Sequence, residues 1–104
     1  MTLKERKQIR DKKLGDYYDA RDDRQALCGK VSDYINIFRD IVKSYDDGKL
    51  RVISSSLNGV RVPTQTEFEE AWTKCKEAHD HEQRLYREAI EAGVNPSRMP
   101  PQST

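Results

Sequence analysis

Three side chains capable of metal binding or acid–base chemistry lie close together in the sequence: Cys75, His79 and His81. Side chains four positions apart on a helix share one face, so Cys75 and His79 are spaced to meet one ion. A zinc site needs three or four ligands, however, and the register derived below places Cys28 about 15 Å along the helix from the position opposite Cys75. We interpret Cys75 as a core cysteine and His79 as an interfacial histidine, and we expect no metal and no cofactor.

Catalysis by a cysteine nucleophile would need Cys75, His79 as its base, a pocket and a group that binds an oxyanion. The sequence contains neither a glycine-rich phosphate loop nor a nucleophile elbow. We therefore predict that the chain is not an enzyme. Two cysteines are too few for a disulfide framework, so both thiols are expected to be free. With no apolar run long enough for a signal peptide or a membrane span, we expect a cytoplasmic location, or assembly from there.

The charge of the chain is unevenly distributed, although its net value is only +1. Residues 1–14 carry six basic and two acidic side chains (6 − 2 = +4), and residues 65–92 carry four basic and eight acidic ones (4 − 8 = −4). The basic segment can bind the phosphates of a nucleic acid or an acidic partner subunit, or it can be a solvated terminus. The candidate phosphate-binding side chains are Lys4, Arg6, Lys7, Arg10, Lys12 and Lys13.

Apolar residues recur with helical spacing in two segments. Because 36% of the residues are charged and only 35% are hydrophobic, the composition favours elongated helices with little interior. The first helix is predicted from about residue 16 to residue 45, ending before Gly48. The second begins at Thr64 or Thr66, each followed three residues later by a glutamate, and ends at Gly93.

The chain is accordingly divided into three parts. Residues 1–14 form a basic N-terminal arm or an extension of the first helix. Residues 15–93 form a domain of helix, β-hairpin and helix. Residues 94–104 hold three of the four prolines and are predicted to be a flexible tail.

A β-hairpin is predicted between the helices because Asn58-Gly59, the strongest short hairpin signal, lies between two β-prone runs. In the predicted register Leu57 faces Val60 and Ile53 faces Thr64. The predicted fold is mainly α: an antiparallel helical hairpin, packed like a coiled coil, with a small β-hairpin between the two long helices.

The two helical stripes can be paired directly, because residues opposite each other in an antiparallel hairpin have numbers with a constant sum. A sum of 113 gives six layers, of which only Val31 with Glu82 is mismatched. The predicted core is Leu27, Val31, Tyr34, Phe38, Ile41, Tyr45, Phe68, Trp72, Cys75 and Tyr86.

Ile35 and Val42 lie seven residues apart beside the first stripe, which indicates a second packing surface and hence self-association or another protein partner. The predicted partner-binding residues are Ile35, Val42, Leu57, Asn58, Gly59 and Val60. We expect a non-enzymatic interaction protein that forms a homo-oligomer and contacts no membrane. The alternative is a nucleic-acid or regulatory binding module that uses the basic arm.

The stretch from Gly48 to about Glu82 resembles the small head-completion or head-tail joining proteins of tailed bacteriophages (lambda W-like). This resemblance implies a virion subunit that adds to the portal ring of a filled capsid and docks through its hairpin. It rests on Gly48-Lys49, Val52, Asn58-Gly59, Val60-Arg61-Val62, Phe68 and Trp72. The order of long helix, hairpin and long helix also resembles β-class prefoldin subunits, which implies a chaperone that holds unfolded clients.

Overall fold

The computed structural model describes residues 1–49, 52–53, 56–57 and 60–99. Its secondary-structure elements are α1 (Leu3–Asp46), β1 (Val52–Ile53), β2 (Ser56–Leu57), β3 (Val60–Arg61), α2 (Gln65–Glu91) and a 3-10 turn (Pro96–Arg98). The mainly α class and the helical hairpin are therefore confirmed. The contacts divide the chain into two compact units: unit 1 comprises Met1–Gln25 and Glu77–Thr104, and unit 2 comprises Ala26–Lys76.

Local hydrogen bonds fix where each helix begins and ends. The Thr64 hydroxyl accepts a hydrogen bond from the Glu67 backbone N–H at 3.1 Å, which confirms Thr64 as the residue that caps α2. Helix α1 begins at Leu3, so residues 3–14 continue it. Gly48 follows α1 with φ +68°, the left-handed conformation expected of it, and Lys49 N–H donates back to the Ser44 carbonyl at 2.8 Å.

The residues between the helices form a three-stranded antiparallel sheet in the order β1-β2-β3, with two residues in each strand. Leu57 pairs with Val60 as in the predicted register, but Ile53 pairs with Ser56, whereas the predicted hairpin places it opposite Thr64. The small β-hairpin predicted from the sequence is therefore not supported. Its turn, Asn58-Gly59, lies outside the described residues.

Unit 1 has a small core built around Tyr17, which is almost completely buried. Tyr17 packs edge-on against Tyr86 with ring centroids 5.7 Å apart, and Ala89, Val94 and Met99 complete the buried cluster. The Tyr18 hydroxyl donates to the Arg98 carbonyl at 2.7 Å, and the Asn95 side chain caps the 3-10 turn. Residues 94–99 thus differ from the predicted flexible tail, because two of their apolar side chains are needed to cover Tyr17.

Unit 2 is joined by a disulfide between Cys28 on α1 and Cys75 on α2, with Cα atoms 4.6 Å apart. The prediction of two free thiols is therefore wrong. Among the described residues of this unit, Val31, Pro63 and Ala71 are buried. The small side chain of Ala71 next to the disulfide is consistent with the close approach of the two helices.

The predicted register is also wrong. In unit 2 the disulfide pairs residues whose numbers sum to 103, and in unit 1 the Tyr17–Tyr86 contact gives the same sum. The sum of 113 would shift α2 by ten residues against α1. Glu82, the one mismatched residue of that register, forms an ion pair with Arg24 (Nε to Oε2, 2.5 Å).

The correct register redistributes the predicted core. Val31 is buried, whereas Tyr45 and Trp72 are exposed and the prediction that they are core residues is wrong. Phe38 is 36% exposed and so lies partly on the surface. The others are half-buried: Leu27, Tyr34, Ile41, Phe68, Cys75 and Tyr86. Trp72 is displaced to the edge because Ala71 faces α1 instead.

Candidate protein-docking surface

The last three turns of α1 carry a row of large apolar side chains that the chain leaves open to solvent. Ile35, Phe38, Val42 and Tyr45 are 43, 36, 59 and 71% exposed. Their spacings of three, four and three residues place them on one face of the helix. We call these four residues the exposed seam.

The register explains why the second half of the exposed seam, Val42 and Tyr45, is uncovered. Helix α2 begins at Gln65, and in the register of the disulfide the position opposite Gln65 is Phe38. The part of α1 that follows Phe38 therefore has no α2 residue opposite it. Residues of this stripe that lie further towards the N-terminus, such as Val31, meet α2 and are buried.

Phe68 closes the covered end of the exposed seam. Its ring lies 5.9 Å from the ring of Phe38 in an edge-on arrangement and 6.5 Å from the ring of Tyr34. This aromatic cluster supports Phe38 from one side and leaves its other side in contact with water. Phe38 thus belongs both to the packing of unit 2 and to its surface.

Trp72 is a large exposed aromatic residue on α2. It lies one helical turn after Phe68 and is 46% exposed. The Lys76 ammonium lies 5.8 Å from the centroid of its ring, a distance at which a cation interacts favourably with an aromatic face. A basic group therefore borders Trp72.

An ion pair fixes the first turn of α2 to the sheet. Both terminal guanidinium nitrogens of Arg61 donate hydrogen bonds to the carboxylate of Glu67, Nη1 at 3.0 Å and Nη2 at a shorter distance. This hydrogen bonding lowers the pKa of Glu67 and raises that of Arg61. The pair joins β3 to the first turn of α2, and because it is exposed it should contribute little to stability.

The predicted partner-binding residues fall into two groups. Ile35 and Val42 lie in the exposed seam, as expected of residues on a second surface. Leu57 and Val60 pair through their backbones in the sheet, and Asn58 and Gly59 lie outside the described residues.

The predicted phosphate-binding residues lie on the first turns of α1, in unit 1. Lys13 Nζ is 3.7 Å from the Glu88 carboxylate, and Arg10 lies beside Gly93, where an added methyl group would be 3.4 Å from Arg10 Cδ. These two residues thus face the acidic end of α2. The remaining four are exposed: Lys4, Arg6, Lys7 and Lys12.

The candidate chemistry of Cys75 is excluded by the disulfide, because a disulfide sulfur is neither a nucleophilic thiolate nor a zinc ligand. Among the described residues, no group of three or more His, Cys, Asp or Glu side chains is arranged to hold a metal ion. His81 instead lies 2.6 Å from the Arg84 guanidinium through Nδ1.

The sequence analysis assigned Phe38, Tyr45 and Trp72 to the core, whereas the structure places them on the surface. The signal that could have located them was the register itself. Once Cys28 is placed opposite Cys75, Tyr45 falls beyond the start of α2.

No protein-family model, curated protein or solved structure matches the chain. In the part of the chain that the structure describes, neither helix combines the length and the apolar character needed to cross a lipid bilayer.

Proposed function

We propose that this chain is a non-enzymatic structural protein that works by docking to protein subunits through the exposed seam. The observation that carries the proposal is the row of four large, exposed apolar residues on α1, of which Val42 and Tyr45 lie beyond the start of α2. Single exposed apolar residues are ordinary, whereas a row on one helix face is typical of an interaction site.

The size of this surface supports the proposal. Phe38 and Tyr45 are 36 and 71% exposed, and at about 150–250 Å² per aromatic side chain they leave roughly 160–270 Å² of aromatic surface in water. Ile35 and Val42 add to this area. The largest apolar patch on a typical monomer covers about 300–600 Å² and often has a function.

Within this class, a connector subunit of a phage virion is the more specific proposal. It is supported only by the resemblance of the stretch from Gly48 to Glu82, in which the hairpin region would be a further docking element. A connector would assemble as a closed ring on a portal. A prefoldin-like subunit would instead hold unfolded chains on the exposed seam, and its binding would lack a fixed partner.

A second candidate function, nucleic-acid binding, is favoured by one observation: Lys4, Arg6, Lys7 and Lys12 are exposed on the first turns of α1. Binding through these groups would release counterions, so the affinity would fall steeply as salt concentration rises. The variant Lys4→Glu/Lys7→Glu should then abolish retention on DNA or RNA, while Val42→Lys should not. Retention that is insensitive to salt would exclude this function.

The docking proposal is tested with a photoreactive phenylalanine analogue at position 45, introduced in the cells that make the protein. Light should produce protein adducts from position 45 in the exposed seam. The matched control is position 33, which is an exposed aspartate about 120–180° around α1 from the seam residues. The proposal would be overturned if position 45 gave no light-dependent protein adducts. It would also be overturned if the adducts were removed only by nuclease, because they would then be adducts with nucleic acid.

A further inference from the structure

We propose that the Cys28–Cys75 disulfide is a redox switch: its reduction opens unit 2, while unit 1 stays folded. In the oxidised chain the bond holds the first turns of α2 against α1. In the reduced chain those turns separate from α1 and uncover more of its apolar face. This inference rests on the proposed docking function and names its regulation.

The disulfide is within reach of a reductant. Both of its cysteines are half-buried and are not enclosed in a core. A methyl group added at Gly29, which follows Cys28, would have no atom within 4 Å apart from those of adjoining residues in α1. Thiol–disulfide exchange requires that a thiolate reach one sulfur, and exposed disulfides are the labile ones.

Positive charge around the bond favours its reduction. Four charged side chains lie within two positions of a cysteine, and their net charge is 3 − 1 = +2. They are Lys30, Lys74, Lys76 and Glu77. A cationic setting attracts the thiolate of a reductant and stabilises the cysteine thiolate that leaves.

A dithiol reductant opens the bond in two steps. Its thiolate attacks one sulfur of the pair, which breaks the S–S bond, releases the other cysteine as a thiolate and leaves a mixed disulfide. The second thiol of the reductant then displaces the first cysteine. The chain gains two electrons and two protons and ends with two thiols, and the dithiol ends as a disulfide.

Little besides the disulfide holds the helices of unit 2 together. Among its described residues, Val31, Pro63 and Ala71 are buried. A cavity of about 140 Å³ opens between α1 and α2, with Leu27, Tyr34 and Ala71 in its wall. Side chains that border empty space lack packing contacts on that side. The helices of unit 2 should therefore separate once the bond is broken.

Unit 1 contains neither cysteine and has a core of its own. The ion pair between Arg24 and Glu82 also lies within it. Its buried residues in the described part of the chain are Tyr17, Ala20, Ala78, Glu82, Ala89, Val94 and Met99. Proteins open in separate cooperative units of different stability, so unit 2 can open while unit 1 remains folded.

The opening lengthens the row that ends in the exposed seam. In the oxidised chain, the ring of Phe68 packs against the rings of Tyr34 and Phe38. Without α2, one face of α1 presents apolar residues at spacings of four, three, four, four and three. They are Leu27, Val31, Tyr34, Phe38, Val42 and Tyr45. Because this row is continuous, the partner that docks at its uncovered end can also pack along the freed residues.

Hydrogen exchange with and without a dithiol, in native buffer, tests the opening. Backbone amides of residues 65–76 should lose their protection on reduction, whereas those of residues 82–91 should keep it. Cys28→Ser/Cys75→Ser should show the same pattern without reductant. The switch is overturned if residues 65–76 stay protected, if both segments lose protection together, or if the bond is reduced only in denaturant.

A second test places the photoreactive phenylalanine analogue at position 34 or at position 45. Extract of the cells that make the protein is treated with a thiol oxidant or with a dithiol before illumination. Position 45 should form the same protein adduct in both states, and position 34 should form it only after reduction. Cys28→Ser/Cys75→Ser should form it at position 34 without reductant, which shows that the effect comes from this disulfide.

The outcomes separate the switch from the proposed function. Adducts at position 45 without any at position 34 after reduction overturn the switch and leave the docking function standing. Equal adducts at position 34 in the oxidised and reduced states do the same. The absence of adducts at position 45 in both states overturns the docking function and, with it, the regulation proposed for it.

Discussion

Cys28 and Cys75 are bonded across the two helices of unit 2, with their Cα atoms 4.6 Å apart. This distance lies within the range that a disulfide requires, so neither helix has to move for the bond to form. Val31 and Ala71 bury little apolar area beside it. The covalent bond is therefore expected to be the main tie between the helices of this unit.

Reduction of this disulfide should lower the stability of the protein substantially. The cross-linked residues are 47 positions apart, and closing a loop of this length in the unfolded chain corresponds to about 4 kcal/mol of stabilisation in the chain-entropy model. Thermal unfolding with and without a dithiol reductant measures the loss. Cys28→Ser/Cys75→Ser should match the reduced wild type and should not respond to the reductant.

The native mass provides an independent check of the same bond. Under non-reducing conditions the chain should be lighter than the reduced chain by two hydrogens, and it should resist alkylation. Two alkylated thiols in the folded protein, or equal unfolding midpoints with and without reductant, would contradict the assignment.

The elements of the fold were largely predictable because they depend on local signals. The hydrogen bond by which Thr64 caps α2 and the left-handed conformation of Gly48 after α1 each involve only three to five neighbouring residues. The sequence alone therefore locates them. The folded tail was not predictable in this way. Val94 and Met99 are buried only because Tyr17, far away in the sequence, needs to be covered.

The register was the decisive long-range feature, and the candidate site depended on it. Pairing the largest apolar residues placed Trp72 and Tyr45 in the core and left Glu82 opposite Val31. The alanines face α1 instead, at Ala71 and Ala78. The correct register could have been found from two requirements: Glu82 needs a basic partner, and the two cysteines can be tested as a pair. Placing Cys28 opposite Cys75 gives the sum of 103, and this register leaves the end of α1 uncovered.

The buried ion pair between Arg24 and Glu82 should be sensitive to the loss of either charge. Glu82 is buried and its carboxylate accepts a hydrogen bond from Arg24 Nε at 2.5 Å, which raises the pKa of Arg24. Glu82→Gln leaves a partly buried guanidinium without its counter-charge, so unfolding should be easier by about 1–3 kcal/mol. Chemical denaturation measures this difference.

Two variants serve as controls for the ion pair. The double replacement Arg24→Met/Glu82→Leu should restore much of the lost stability, because apolar residues of similar volume remove the desolvation cost of both charges. Glu67→Gln, in the exposed pair with Arg61, should change the denaturation midpoint little. If Glu82→Gln behaves like Glu67→Gln, the Arg24–Glu82 pair does not stabilise unit 1 as described.

Tyr17 should make the protein less stable at alkaline pH. Burial raises its pKa above the usual value near 10, and the neighbouring Glu82 carboxylate raises it further. The folded state therefore holds the phenol proton more tightly than the unfolded chain does. The stability from Tyr17 is fully present below about pH 10 and is lost as the pH rises through the folded pKa.

Unfolding midpoints measured from about pH 9 to about pH 11 test this linkage. Tyr17→Phe should flatten the alkaline decline relative to wild type. Tyr45→Phe removes a phenol that is exposed to solvent and should leave the decline unchanged. Identical alkaline profiles for the wild type and Tyr17→Phe would show that Tyr17 does not carry the effect.

Met99 should be a core residue despite its position near the C-terminus. It is buried in the cluster around Tyr17, so Met99→Ala leaves a cavity and should cost about 2–5 kcal/mol. Arg98→Ala is the matched control: the Arg98 side chain is exposed, and its backbone carbonyl still accepts the Tyr18 hydrogen bond. Thermal unfolding measures the stability of both variants, and limited trypsin digestion reports whether the bond after Arg98 becomes accessible in Met99→Ala. Wild-type stability and cleavage in Met99→Ala would mean that residues 94–99 do not pack on Tyr17, as expected of a flexible tail.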